Sequence, residues 1–218
     1  MPTLRETIDA YKEGISKALP AATFATMNKS TIELKATGIE NRALKAGDTM
    51  PDFELPNQNG EMRRLSTYLA ESAVVLSLYR GGWCPYCNME MRSLHGALPE
   101  IMARGARLVG LTPELPDKAQ LTAARNEIAI YILSDAGNLV SEQLGLVFEL
   151  PDALRPIYEQ FGIDLPAYNG DSSFRLPVPA TFIIRRDKVV AHAFVNADYT
   201  IRMEPAEIVA KLDELKLR

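Results

Sequence analysis

The residues best suited to chemistry fall in one stretch, Tyr79-Arg80-Gly81-Gly82-Trp83-Cys84-Pro85-Tyr86-Cys87-Asn88, which holds the only two cysteines of the chain. A Cys-x-x-Cys pair can cycle between a dithiol and a disulfide. With no third cysteine, any disulfide within the chain must join Cys84 to Cys87. Pro85 suits the first position of a helix, because its φ is preset and it has no N–H to leave unpaired. That makes Cys84 the N-cap. A thiolate there can accept hydrogen bonds from the free N–H groups around Tyr86 and Cys87, at the positive end of the helix dipole. Both effects lower a thiol pKa from about 8.5 toward 7 or below, and the thiolate is the reactive form. Cys87, one turn on, comes within disulfide reach.

The neighbouring residues admit a functional or a plain structural part. Arg80 is the nearest cation in sequence. It either lowers a thiolate pKa and polarises a substrate oxygen, or is a surface arginine at a strand end. Trp83 either shields the sulfurs and shapes a groove, or simply packs. Glu90, one turn beyond Cys87, is placed to shuttle protons, although helix glutamates are usually solvated. Asn88, His95 and His192 read as structural. A structural zinc site needs about four ligands, and the two histidines lack the spacing to complete one. Neither metal nor cofactor is expected.

The elements around the pair follow from periodicity. Leu4, Ile8, Tyr11, Ile15 and Leu19 predict a helix over 1–20, which Pro20 stops. Phe24, Met27, Ile32 and Leu34 predict a second over 21–37, capped by Gly38. These helices form either a hairpin packed on the main domain or a dimerisation arm. From Lys45 the texture changes to short β-like pieces, with a hairpin signal at Asn59-Gly60. Ser66 is expected to cap a short helix toward Leu69. Ala73 to Tyr79 is an apolar, β-branched run that reads as a buried central strand. After the cysteines, Met91, Leu94, Leu98, Ile101 and Met102 keep helical spacing until Gly105. Strands over 107–112 and 130–135 alternate with helices over 116–128 and 139–144. Residues 151–175 read as a helical turn and a polar loop able to wall the site. A strand pair spans 180–194, and a last helix carries Ile208, Val209, Leu212 and Leu215. This order implies an α/β sandwich whose sheet is parallel in its first half and antiparallel in its second.

The chain has 218 residues, 47% hydrophobic and 24% charged, with net charge −4. That composition suits a globular protein with a sizeable core and gives no reason to expect nucleic acid as a partner. No apolar run approaches the ~18–20 residues of a membrane span. The N-terminus lacks the apolar core of a secretory signal. A cytoplasmic setting is therefore expected, where a Cys-x-x-Cys pair is more often catalytic than a staple.

"WCPYC" resembles the active-site turn of thioredoxin-fold proteins, in the Cys-Pro-Tyr-Cys form of glutaredoxins. The segments "AGDTMPDFELPNQNGE…VVLSLYRGGWCPYCNMEMRSL" and "LPDALRPIYEQFGIDLPAYNGDSSFRLPVPATFII" are similar to the peroxiredoxin superfamily of alkyl hydroperoxide reductases and thiol-specific antioxidant proteins. The similarity is closest to a branch in which Cys-x-x-Cys replaces the usual peroxidatic loop. It runs from about Lys45 to the C-terminus. The resemblance implies a thioredoxin-like three-layer sandwich over 45–218, with a mixed central sheet, preceded by a helical extension over 1–44. It implies a thiol-dependent peroxidase that reduces hydrogen peroxide or organic hydroperoxides through a Cys84/Cys87 cycle. A thioredoxin or glutathione type donor would reset the pair, and an amphipathic N-terminal arm is compatible with a homodimer.

The resemblance assigns the two sulfurs in conflicting ways. The peroxiredoxin pattern Pro-x-x-x-Thr-x-x-Cys puts Cys87 on the peroxidatic cysteine, Cys84 on the threonine and Arg80 on the proline. Pro179 takes the place of the arginine that polarises peroxide. The thioredoxin pattern instead makes Cys84 the exposed nucleophile and Cys87 the buried resolving thiol of a disulfide oxidoreductase. There Val178-Pro179 falls on a loop whose cis proline faces the disulfide and offers a backbone edge beside Cys84. Leu78 stands where thioredoxins carry a buried acid, so that pattern supplies Cys87 with no proton acceptor.

Overall fold

The computed structural model describes residues 2–216. The chain opens with helices α1 (Leu4–Ala18), α2 (Ala21–Ala36) and α3 (Ile39–Arg42). A hairpin of β1 (Glu54–Pro56) and β2 (Met62–Arg64) precedes α4 (Leu65–Glu71) and β3 (Ala73–Leu78). Next come α5 (Pro85–Gly96), α6 (Leu98–Ala103), β4 (Ala106–Thr112), α7 (Pro116–Arg125) and β5 (Tyr131–Ser134). Then follow α8 (Leu139–Gln143), β6 (Val147–Glu149), α9 (Arg155–Gln160), α10 (Leu165–Asn169) and β7 (Arg175–Pro177). The chain closes with β8 (Ala180–Ile184), β9 (Val190–Val195) and α11 (Pro205–Leu215).

Five strands form the main sheet in the order β5-β4-β3-β8-β9. The β3–β4 and β4–β5 pairs are parallel, and β3–β8 and β8–β9 are antiparallel. This is the mixed sheet that the strand order implied. All six residues of β3 are buried because the sheet is covered on both faces. Alternate residues serve opposite layers. Val75 and Tyr79 join Leu4, Ile8, Met91, Leu94 and Ile208 on one face. Val74, Leu76 and Leu78 join Ile39, Leu65, Leu69 and Leu144 on the other. Among the described residues no helix is long and apolar enough to cross a membrane.

The extension packs on its own domain. Thr3 and Glu6 form a reciprocal capping box at the start of α1. The Glu204 carboxylate accepts the Leu4 and Arg5 N–H groups at 3.2 and 2.6 Å. Lys12 Nζ donates to Thr200 Oγ1 at 2.9 Å. Tyr11 meets Tyr86 of α5 edge-on, with ring centroids 5.4 Å apart.

Several expectations need correction. The single helix expected up to Gly105 is two, α5 and α6, broken at Ala97, with Pro99 in the first turn of the second. Ser66 is not a cap: Arg64 holds that position, and the Ser66 N–H donates to Asp52 Oδ1 at 2.9 Å. The stretch 151–175 is more ordered than a loop, containing α9 and α10, and β7 then pairs with β6.

Candidate active site

Two close approaches shape the turn between β3 and α5. Gly81 has φ +146°, and a Cβ on it would lie 2.3 Å from the Trp83 Nε1. A Cβ on Gly82 would lie 2.0 Å from Thr122 Oγ1, so α7 can pack here only against a glycine. Cys84 N donates to Gly81 O at 3.0 Å, and Asn88 Nδ2 donates to Gly82 O at 2.8 Å. Asn126 Nδ2 in turn holds Asn88 Oδ1 at 3.1 Å. Asn88 is thus the structural brace that its sequence position suggested.

Cys84 is the N-cap of α5 and Pro85 opens the helix. The sulfur, however, takes no hydrogen bond from the first-turn backbone. It receives Arg80 Nη2 at 3.2 Å instead. Arg80 is not a surface residue, being only 4% exposed. Its guanidinium lies 4.0 Å from the Tyr199 ring centroid and 5.0 Å from that of Trp83. Nη1 donates to Tyr158 Oη at 3.1 Å, and Nε has no partner. Aromatic faces and a thiolate acceptor replace the water that this cation gives up.

Cys87 has its own cation. Arg202 Nη2 donates to Cys87 Sγ at 3.4 Å, and Nη1 pairs with Glu90 Oε2. Both partners of that ion pair are buried, each side chain 2% exposed. Tyr199 O accepts from Arg202 Nε and Nη2 at 2.9 and 2.8 Å. Burial pushes the Glu90 carboxyl up, against the pull of Arg202, to about 7. A second acid, Glu114, is pushed by burial to about 7. It accepts Gly82 N–H at 2.9 Å and Thr122 Oγ1 at 3.3 Å.

The sulfurs titrate apart. Burial works to raise both thiols. At Cys84 that is outweighed by a hydrogen bond from Cys87 and by the charges of Arg80 and Arg202, which hold the thiol well below its usual range. At Cys87 burial acts together with donation to Cys84 and repulsion from its charge, so this thiol is well above its usual range. Both directions favour a thiolate at Cys84 beside a neutral thiol at Cys87.

Neither sulfur is exposed, so the expectation of a solvent-facing Cys84 does not hold. A cavity of about 350 Å³ lies over the turn, lined by Arg80, Trp83, Pro85 and Tyr86 together with Tyr11 and Tyr158. A second, of about 300 Å³, adjoins Arg80 from the side of Leu34, Phe148 and Leu154. Arg80, Trp83, Pro85 and Tyr86 are therefore brought together around Cys84. Val178 is not: it packs in the core on the opposite face of the sheet from the cysteines. No peptide bond among the described residues is cis, so the Val178–Pro179 bond is trans. The stretch 167–177 lines neither cavity; Phe148, Leu154, Tyr158 and Phe161 supply that wall.

Sequence reasoning missed Arg202, Tyr199, Tyr158 and Glu114. Their partners lie far away in sequence: Arg202 is 115 residues from Cys87 and Tyr158 is 78 from Arg80. No local spacing carries such contacts. The one available signal was Glu90, an acid on the cysteine helix, whose burial demands a cation from elsewhere.

The AhpC/TSA family profile matches residues 46–193. The chain is 34% identical over 114 residues to a putative peroxiredoxin of Mycobacterium tuberculosis, covering 52% of this chain and 74% of that protein. It is 30% identical over 103 residues to peroxiredoxin Bcp of Escherichia coli, covering 47% of this chain and 65% of that protein. The crystal structure of peroxidoxin BcpB from Mycobacterium tuberculosis superposes with a TM-score of 0.62 at 26% identity, covering 79% of this chain and 98% of that one. Peroxiredoxin 6 of Arenicola marina superposes with a TM-score of 0.63 at 19% identity, covering 80% of this chain and 74% of that one, and so shares the fold. With its mixed five-stranded sheet, its thiol pair at the β3–α5 turn and a family match over two thirds of its length, the chain belongs to the AhpC/TSA family.

Proposed function

We propose that this chain is a thiol-dependent peroxidase in which Cys84 attacks and Cys87 resolves. The observation that carries the assignment is the Arg80 guanidinium, 3.2 Å from a Cys84 sulfur whose thiol is held low. The thiolate attacks the terminal oxygen of a hydroperoxide. An S–O bond forms, the O–O bond breaks, and the leaving alkoxide or hydroxide takes up a proton. Arg80 stabilises the negative charge as it moves from sulfur to oxygen. The Cys84 sulfenic acid then condenses with the Cys87 thiol, releasing water and leaving the Cys84–Cys87 disulfide. A donor of thioredoxin or glutathione type supplies two thiols to restore the pair. As Cys87 loses its proton, the Glu90–Arg202 pair beside it offers a carboxylate and a compensating charge.

A second reading has Cys87 attack first, on the family alignment and on the Arg202 contact at 3.4 Å. The neutral state favoured at Cys87 speaks against it. The disulfide oxidoreductase alternative draws little support from two fully buried sulfurs with Val178 on the far side of the sheet. The decisive experiment is single-turnover oxidation of the Cys84→Ser and Cys87→Ser proteins by hydrogen peroxide, with sulfenic acid trapped and weighed. Cys87→Ser is expected to form it quickly and Cys84→Ser slowly. The reverse order would transfer the role to Cys87. Reaction of both at the rate of free cysteine would remove the peroxidase reading.

A further inference from the structure

The two cavities adjoin one another, as two lobes of a chamber would, at Arg80, the residue that donates to the Cys84 sulfur. They share four lining residues, Met27, Arg80, Tyr158 and Tyr199. One lobe is walled by Tyr11 and Ile15 of α1 and its C-cap Leu19, with Trp83 and Phe161. The other is walled by Leu34 of α2 with Phe148, Leu150 and Leu154. Each lobe is of a size that takes a small ligand. The walls of both are mainly apolar, although Ser30, Thr31, Glu33, Thr37 and Glu149 also line the second. Arg80, the one cation among the residues lining them, is buried and sits at their junction, with its Nε free of a hydrogen-bond partner among the described residues. Helices α1 and α2 both precede the residues that the family profile matches, so this wall is added to the family's domain.

On the peroxidase reading above, we propose that α1 and α2 are a substrate-binding element that selects a hydroperoxide carried partway along a neutral apolar chain. Such a molecule lays one arm in each lobe and brings its O–O group to the cation at the junction. A terminal hydroperoxide fills one lobe only and leaves the other empty. Hydrogen peroxide uses neither. A carboxylate is disfavoured, because the charged residues lining the chamber besides Arg80 are Glu33 and Glu149. The redox step is the one already given: the chain-borne alkoxide leaves as a secondary alcohol after protonation, and Cys84 becomes the sulfenic acid. That alcohol is an unreactive probe of the same shape.

Trp83 is the only tryptophan of the chain and lines one lobe, so its fluorescence reports occupancy without turnover. The probes are the methyl ester of a long-chain fatty acid hydroxylated near mid-chain, its isomer hydroxylated at the terminal carbon, and the mid-chain free acid. The mid-chain ester is expected to bind at least about tenfold more tightly than either. That corresponds to fewer than two additional buried methylenes. Met27→Arg places a charge at the junction and should weaken the ester by about tenfold or more. Met27→Phe, apolar but stiffer, should act in the same direction should the charged variant fail to fold. Ile32→Arg, on the exposed side of α2 and outside both lobes, should leave ester binding as it is. Equal binding of the two esters, or no effect of the Met27 variants, would overturn the chamber assignment. A free acid that binds as well as the ester would overturn the preference for a neutral chain. Failure of the peroxidase reading shows differently, as the absence of sulfenic acid on Cys84 while ester binding persists.

Discussion

Replacing Arg80 by methionine removes the charge nearest Cys84 and keeps most of the apolar stem that lies between Trp83 and Tyr199. The size of the effect follows from the contact. Arg80 Nη2 donates to the sulfur at 3.2 Å, and both groups are buried. A hydrogen bond to a charged group contributes about 1.5–3 kcal/mol. One pKa unit corresponds to about 1.4 kcal/mol, so the Cys84 thiol should rise by about one to two units. Arg202 remains and limits the rise. The assay is the ultraviolet absorbance of the thiolate against pH in a Cys87→Ser background, where Cys84 is the only thiol. At a pH below both values, sulfenic acid formation should slow by about ten- to a hundredfold, because the rate follows the thiolate fraction. The shift should change little with salt, since the pair is buried. The linkage has a definite sign. A thiol depressed in the folded state contributes stability that is fully present above the unfolded value of about 8.5 and fades as pH falls through the folded one. Arg80→Met should therefore lose more stability at high pH than at low. A Cys84 titration unmoved by Arg80→Met would refute the reasoning, and the thiolate would then owe its stability to Arg202.

Three further outcomes follow from the same geometry. Glu114 titrates near 7 in the fold, against about 4.3 unfolded, so it contributes stability below that lower value that is lost as pH rises through 7. Glu114→Gln should flatten the profile of stability against pH across that window by about 3–4 kcal/mol, as read by denaturation at successive pH values. Gly82→Ala forces a methyl into Thr122 and should destabilise by about 1–3 kcal/mol in urea titration; an unchanged midpoint would mean that α7 yields freely. Glu204→Ala removes the acceptor for Leu4 and Arg5 N–H, and should raise hydrogen exchange across the first turn of α1, at a cost of about 0.5–2 kcal/mol.

Much of the scaffold was legible because its signals are local. The apolar run from Ala73 announced a strand buried on both faces, and Pro85 announced the start of the helix that carries both cysteines. Gly38, with φ +69°, ends α2 as its position suggested. The break at Ala97 was also written in the chain, since Pro99 marks a helix start, but unbroken apolar spacing overrode it. Strands β6 and β7 carried no periodic signal in three residues each. The site was half legible. The cysteine turn could be read in one pass, whereas the electrostatics that separate its two thiols come from Arg80 folding inward and Arg202 arriving across the fold. Burial of a cation cannot be read from its neighbours in sequence. The same limit applies to Val178, which falls on a segment resembling a substrate-facing loop in sequence and packs in the other core.

The Glu204 clamp on α1 also bears on how the protein is made. The start of the first helix is fastened by one residue, Glu204, which follows Leu4 by 200 positions and Arg5 by 199. At synthesis rates of about 5–20 residues per second, roughly 10–40 s separate the emergence of α1 from that of its anchor. Throughout that interval Ile15, Leu19 and Met27 have no chamber to line, and they present an apolar face for a chaperone to shelter. The cysteines emerge midway, before Tyr199 and Arg202 exist to cover and charge them. The nascent chain therefore carries Arg80 beside Cys84 well before Arg202 can charge Cys87, and the site is complete only once the segment from Tyr199 to Glu204 has been made and holds the first helix down.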